Sequence, residues 1–191
     1  MYKGRFNLDG VSQKELSDYM LAKMQSRLAE VPAWKGKVQN TAEVEKITRW
    51  LLEGKRTSLL LQGGVGCGKT IFALALAQTL AVRNLCPYFI PMEKLVKMAK
   101  ADNEVPECVY ENRIIVLDDV GTEPLEVNIY GNRYELFNEI LYARYARRQP
   151  TILTTNLTWD ALGNKYGPRI MSRLGEMCDT MIFPGRDLRN Q

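Results

Sequence analysis

The stretch Gly63-Gly-Val-Gly-Cys-Gly-Lys-Thr70 determines how the rest of the chain is interpreted. It matches the pattern G-x-x-x-x-G-K-[ST] in full, between a short apolar run at 58–62 and a helical composition at 71–83. Glycine leaves room for backbone amides to turn inward around phosphate oxygens, and the start of the next helix adds partial positive charge. The sequence therefore predicts a phosphate-binding loop between a strand and a helix. A purely structural glycine turn is the alternative, and the flanking strand and helix argue against it.

The loop supplies the candidate ligands of a nucleotide. Lys69 is expected to place its charge on the β and γ phosphates of ATP, and the Thr70 hydroxyl is expected to ligate Mg²⁺. Cys67 occupies a variable position of the pattern and is interpreted as incidental. The full set of predicted ATP-binding residues is Gly63, Gly64, Val65, Gly66, Cys67, Gly68, Lys69, Thr70 and Ile71.

Two carboxylates, Asp118 and Asp119, follow the apolar run at 114–117. A strand here would bring both acids beside the phosphate-binding loop, because the carboxyl ends of parallel strands share one edge of the sheet. We expect Asp118 to hold Mg²⁺ through water and Asp119 to polarise the attacking water. The alternative is a strand that ends in an Asp-rich turn. A second acid in this position is typical of NTPases with an additional strand, and it argues against small-molecule kinases and Ras-like GTPases.

Asn156 and Arg173 complete the predicted catalytic set. Asn156 follows the strand candidate at 151–155 and is able to orient a water molecule without carrying charge. Alone this is a weak signal, because Asn is also a common turn residue. Arg173 is able to stabilise the charge that develops on a phosphoryl group, although a surface helix also carries arginine for solvation alone.

The composition excludes several other chemistries. The 191 residues include four Cys and no His, so a Ser-His-Asp triad and a His-ligated zinc site are impossible. The cysteines form no C-x-x-C pair and are interpreted as reduced thiols of a cytoplasmic protein. No secretory signal and no membrane-spanning run are recognised. The excess of Lys and Arg lies in residues 1–56, which are either a solvated basic surface or an arm for nucleic acid or an acidic partner.

The periodicity predicts a helical N-terminal segment followed by alternating strands and helices. A capping box at Ser12 and Glu15 opens a helix over 13–29, a linker follows, and a second helix begins at Asn40. We therefore divide the chain into a short segment, 1–36, and a core, 37–191. Strands are predicted at 58–62, 87–92, 113–118, 151–155 and 180–183, and later helices at 71–83, 93–100, 133–147, 158–165 and 168–176. This alternation predicts a parallel sheet covered on both faces.

Taken in order, these motifs resemble those of the AAA+ ATPases, specifically the DnaC-type helicase loaders and the related IstB-type transposition ATPases. The resemblance covers roughly 40–189. It rests on GGVGCGKT at 63–70, IIVLDDVGTEP at 114–124, YGNRYELFNEILYARY at 130–145, TILTTNL at 151–157, RIMSRL at 169–174 and IFPGRDLR at 182–189. It implies an α/β P-loop NTPase of the additional-strand AAA+ class, with a five-stranded parallel sheet flanked by helices. The C-terminal lid is expected to be missing or truncated, with its arginine either absent or replaced by a residue such as Arg186 or Arg189.

The resemblance also implies a function and partners. It implies an ATPase that uses ATP and Mg²⁺ to load a replicative helicase onto single-stranded DNA. Arg173 would act in trans within a homo-oligomer, and the helix at 13–29 would be the helicase-binding arm. DNA would contact Lys97, Lys100 and Tyr130, and the basic cluster Arg144, Arg147 and Arg148 would either contact DNA or complement a helix dipole. The alternatives are an IstB-type transposition helper that binds DNA and a transposase, and a small P-loop kinase.

Overall fold

The computed structural model describes residues 6, 8–30, 41–129 and 131–183. The helices are α1 (Gln13–Ala29), α2 (Ala42–Glu53), α3 (Lys69–Ala81), α4 (Met92–Asp102), α5 (Cys108–Glu111), α6 (Leu136–Ala146), α7 (Trp159–Tyr166) and α8 (Pro168–Met177). The strands are β1 (Ser58–Gln62), β2 (Tyr88–Pro91), β3 (Ile115–Val120), β4 (Val127–Ile129), β5 (Asn132–Tyr134), β6 (Thr151–Thr155) and β7 (Cys178–Ile182).

Five of the strands form one parallel sheet in the order β2-β3-β6-β1-β7. This confirms the predicted five-stranded parallel sheet. Strand β6 lies between β1 and β3, and all five of its residues are buried. The carboxyl ends of these three strands therefore meet at one edge, where the chain continues into the phosphate-binding loop, the Asp pair and Asn156.

Helices cover both faces of the sheet, as predicted. In β1, Leu59 and Leu61 point to one core and Leu60 points to the other, because side chains alternate along a strand. The first core also receives side chains from α1, α2 and α3, and the second receives them from α4, α6, α7 and α8.

Helix α1 packs on α3, the helix that follows the phosphate-binding loop. Ser12 and Glu15 form the predicted capping box, and Met20 and Met24 are buried in the first core. Helix α2 begins after Thr41, whose hydroxyl accepts from Val44 N, rather than after Asn40. Asn40 itself, and the proposed boundary between residues 36 and 37, lie outside the described residues.

The predicted helix over 133–147 begins later in the structure, at Leu136. The preceding residues form β5, which pairs antiparallel with β4, so that Asn128 lies opposite Arg133. Val127 and Ile129 are buried, and β4 packs on α4. In β4 the buried Val127 and Ile129 alternate with the exposed Asn128, which suits a half-buried strand.

Arg144 is completely buried, so the contact with DNA considered for it is wrong. Its guanidinium donates to Val109 O at 2.8 Å, Pro150 O at 2.7 Å and Thr151 Oγ1 at 2.7 Å. Arg147, by contrast, is exposed. The hydrogen bonds of Arg144 thus connect the segment before β3 to the start of β6.

Within the described part of the chain, no helix combines the length and apolar character needed to cross a membrane. All four cysteines are free thiols.

Candidate functional site

The phosphate-binding loop begins where β1 leaves the sheet. Gly63 N donates to Thr155 O at 3.3 Å, which holds the loop against β6. A Cβ atom on Gly63 would lie 2.9 Å from Phe183 Cβ and 3.0 Å from Phe183 O, so this position requires glycine. Gly68, with φ +90°, turns the chain into the first residue of α3 in a conformation that side chains disfavour.

Lys69 lies folded over its own loop. Its side chain is only 5% exposed, and Nζ donates to Gly63 O at 2.9 Å, Gly64 O at 2.7 Å and Asn156 Oδ1 at 2.7 Å. These three acceptors satisfy the three donors of the ammonium group, which a buried cation requires. Cys67 is buried as well, and its thiol donates to Gly64 O at 3.0 Å, so it braces the loop rather than being incidental.

Thr70 and Asp118, the two predicted Mg²⁺ ligands, are in direct contact. Thr70 Oγ1 donates to Asp118 Oδ1 and Oδ2 at 3.1 Å each, and Thr154 Oγ1 donates to Asp118 Oδ1 at 2.6 Å. Burial raises the pKa of the Asp118 carboxyl, and the hydrogen bonds from Thr154 and Thr70 oppose that rise. Sequence reasoning missed Thr154. The signal was available, since Thr154 lies in the strand that Asn156 follows, two residues before it.

Asp119 lies at an irregularity in the pairing of β3 with β6. Its φ is +58°, and its backbone N donates to Thr154 Oγ1 at 2.8 Å. The carboxylate is half-buried, and Asn156 Nδ2 lies 3.5 Å from Asp119 Oδ1. The amide of Asn156 therefore connects Lys69 on one side with Asp119 on the other. The structure brings together Lys69, Thr70, Asp118, Asp119 and Asn156.

Arg173 lies elsewhere, on α8. Its guanidinium carbon is 4.4 Å from the ring centroid of Tyr142 and 5.3 Å from that of Tyr145, both on α6. Its Nη1 donates to Arg169 O at 3.1 Å. Among the described contacts, none joins Arg173 to the phosphate-binding loop of the same chain.

The candidate DNA contacts are only partly described. Lys97 and Lys100 are exposed on α4, and Lys97 Nζ forms an ion pair with Glu93 Oε1 at 2.6 Å. Tyr130, Arg186 and Arg189 lie outside the described residues.

The residues fit ATP and Mg²⁺ as ligands. The Gly63 position has no room for a side chain, Lys69 offers a buried cation, and the Thr70–Asp118 pair offers oxygen ligands. Mg²⁺ commonly binds through one or two carboxylates together with substrate phosphates and water. Among residues 6, 8–30, 41–129 and 131–183, no group of three or more Cys, Asp or Glu could hold a metal.

The inserted strand β6, the loop after β1 and the acid pair near the end of β3 define a P-loop NTPase of the additional-strand class. A sequence model of the IstB-like ATP binding protein family matches residues 23–183, and the chain belongs to that family.

One relative has a described role. The replicative helicase loader DnaI of Bacillus subtilis (strain 168) is 26% identical over 121 residues, which cover 59% of this chain and 37% of DnaI. The chain thus spans little more than a third of the length of that relative.

Solved structures share the fold. The DnaC helicase loader superposes with a TM-score of 0.65 at 22% identity, covering 83% of this chain and 99% of DnaC. DnaI superposes with a TM-score of 0.60 at 22% identity, covering 74% and 82%. AMPPCP-bound DnaA from Aquifex aeolicus superposes with a TM-score of 0.55 at 18% identity, covering 73% and 45%. These neighbours confirm the predicted AAA+ fold, and the family match confirms the predicted resemblance.

Proposed function

We propose that this protein hydrolyses ATP with Mg²⁺ and loads a replicative helicase onto single-stranded DNA. The observation that carries the ATPase proposal is the amide of Asn156, which links the buried ammonium of Lys69 to the carboxylate of Asp119. The similarity of this chain to DnaI, a replicative helicase loader, supports a replicative helicase as the proposed partner.

Each side chain of the site has a separate role in the proposed hydrolysis. Lys69 neutralises phosphate charge, and it exchanges Asn156 Oδ1 for a phosphate oxygen when ATP binds. The released amide of Asn156 then orients a water molecule, and Asp119 polarises that water by accepting its hydrogen bond. Bound Mg²⁺, held through Thr70 and Asp118, supplies positive charge that stabilises the phosphate oxygens.

Other residues contact the proposed partners, which are a second copy of the chain, DNA and the helicase. Arg173 contacts the ATP of a neighbouring copy, since it lies away from the loop of its own chain. Lys97 and Lys100 contact DNA phosphates. Helix α1 provides the contact with the helicase, and its packing on α3 connects that contact to the nucleotide site.

The first test is co-elution with the host's replicative helicase in size-exclusion chromatography, with and without ATP and Mg²⁺. We expect ATP-sensitive co-elution that is lost in Lys69→Ala and retained in Lys94→Ala, a change at an exposed lysine of α4. Absence of association in every nucleotide state would refute helicase loading. Co-elution with a transposase instead would favour the IstB-type alternative, which the family match makes the natural second candidate.

Binding to DNA is tested on the same helix. Lys100→Ala should weaken binding to single-stranded DNA and flatten its salt dependence by about one counterion, whereas Lys94→Ala should leave both unchanged. Equal salt slopes for the two variants would remove Lys100 from the DNA surface.

A further inference from the structure

Arg173 has aromatic support but little hydrogen bonding. Two rings of α6, from Tyr142 and Tyr145, lie within 4.4 and 5.3 Å of its guanidinium carbon. Only one of its N–H groups has a described acceptor, Arg169 O, and its Nε is buried with no partner in the described part of the chain. The guanidinium is therefore held in place with most of its donors unused.

A carboxylate that could neutralise Arg173 is close in sequence. Glu176 lies three residues further along α8, a spacing at which Arg and Glu side chains commonly pair on a helix surface. In the structure they form no ion pair. Glu176 Oε2 instead accepts a hydrogen bond from Tyr145 Oη, and Glu176 Oε1 lies 3.5 Å from Ser172 Oγ. The hydrogen bond to Glu176 raises the pKa of the Tyr145 hydroxyl, so the phenol remains a donor.

We infer that Tyr145 is a positioning residue for Arg173: its hydroxyl holds Glu176 away, while its ring and that of Tyr142 support the guanidinium. An aromatic face stabilises a guanidinium without consuming its N–H donors, whereas a carboxylate would occupy them. Arg173 thus stays available for an anion from outside the chain, a phosphate group of nucleotide bound by a second copy. This inference rests on the proposed function, in which Arg173 acts in trans.

The test separates the hydroxyl from the ring. In Tyr145→Phe the ring remains, Glu176 is released and pairs with Arg173, and assembly-dependent ATP hydrolysis should fall about two- to fivefold. Tyr145→Phe combined with Glu176→Gln should restore the rate, because no carboxylate then competes. Tyr142→Phe is the matched control. It removes the hydroxyl of the other ring, leaves the bond to Glu176 intact, and should reduce the rate by less than Tyr145→Phe does.

Two outcomes would overturn the inference. One is a Tyr145→Phe rate equal to that of wild type, and the other is a loss that Glu176→Gln does not restore. A merely structural role for Tyr145 would give the second result, since removing Glu176 would not repair packing. Melting curves establish that each variant is folded.

The proposed function can fail separately. If Arg173→Ala hydrolyses ATP as wild type does, Arg173 has no role in trans. The role of Tyr145 in keeping Glu176 from Arg173 is then tested by stability measurements alone. The variants are Arg173→Ala, Glu176→Gln and their combination. Their effects on the denaturation midpoint should be additive in wild type, where the pair is kept apart, and non-additive in a Tyr145→Phe background. Non-additive effects in wild type would show that Glu176 already pairs with Arg173.

Discussion

Asp118 is buried at the carboxyl edge of the sheet, and none of the described hydrogen bonds or ion pairs joins its carboxylate to a cationic side chain, which makes this a costly place for a carboxylate. Replacing it by asparagine removes that cost while keeping its size. We expect Asp118→Asn to raise the melting temperature of the nucleotide-free protein by a few degrees, about 1 kcal/mol, and to reduce the added stabilisation by ATP with Mg²⁺. Thermal melting with and without nucleotide measures both effects.

The matched control is Asp119→Asn, since Asp119 is only half-buried and should change the melting temperature less. A lower melting temperature for nucleotide-free Asp118→Asn would show that the ionised carboxylate stabilises the fold.

Gly63 and Gly64 are neighbours with different surroundings. A methyl group on Gly63 would overlap Phe183, whereas nothing lies within 4 Å of the equivalent position on Gly64. Gly63→Ala should lower the free energy of unfolding by about 1–3 kcal/mol, and Gly64→Ala should change it by less than about 0.5 kcal/mol. Urea unfolding without nucleotide measures the difference. Equal values would mean that Phe183 moves aside freely.

At the scale of elements, sequence patterns predicted the parts whose signal is local. The loop at Gly63–Thr70, the apolar strand before it and the helix after it follow from spacing and composition alone. The short hairpin of β4 and β5 is not predicted by these patterns. Tyr134 matches the helical spacing of Phe137 and Leu141, so the spacing predicts a helix where the structure has β5. The left-handed backbone of Asp119 was also beyond prediction, since it depends on how β3 pairs with β6.

Arg144 shows why burial of a charge is hard to predict. Its position in the last turn of α6 suggests a solvated cation that complements the helix dipole. In the structure most of its acceptors are backbone carbonyls from separate segments, including Val109 O and Pro150 O, and they converge only after folding. Burial lowers its pKa to about 10, which still leaves it charged at neutral pH.

Arg144 should therefore matter to stability far more than its neighbours do. Arg144→Met keeps an unbranched apolar stem but removes the guanidinium and leaves several buried acceptors unpaired, so it should lower the free energy of unfolding by at least about 3 kcal/mol. Arg147→Met, at an exposed position, should cost less than about 0.5 kcal/mol. Chemical denaturation of both variants tests this. A free energy of unfolding that Arg144→Met leaves unchanged would mean that water replaces the guanidinium.

At the scale of the molecule, the phosphate-binding loop and the proposed helicase contact are joined by one hydrophobic core. Helix α1 buries Met20 and Met24 in the core that also contains Phe72 of α3. The phosphate-binding loop precedes α3, and α3 packs on α1, so a single helix connects the loop to the proposed helicase contact. Arg173 lies outside this arrangement, because its surroundings come from α6. In the proposed function, a complete hydrolytic site therefore requires two copies, with the loop of one facing the arginine of the next.

Mixing two inactive variants tests that arrangement. Lys69→Ala retains Arg173 but lacks the loop cation, and Arg173→Ala retains the loop but lacks the arginine, so each alone should lose assembly-dependent hydrolysis. In an equal mixture that assembles head to tail, about a quarter of the junctions pair an intact loop with an intact arginine. We expect about a quarter of the wild-type rate, measured by phosphate release. Replacing the Lys69→Ala partner by the double variant should abolish the recovery, because no intact arginine remains in the mixture. A mixture as inactive as its components would place the arginine and the loop in the same chain. An Arg173→Ala variant that is active by itself would instead remove Arg173 from catalysis, and Asn156 and Asp119 would then act without it.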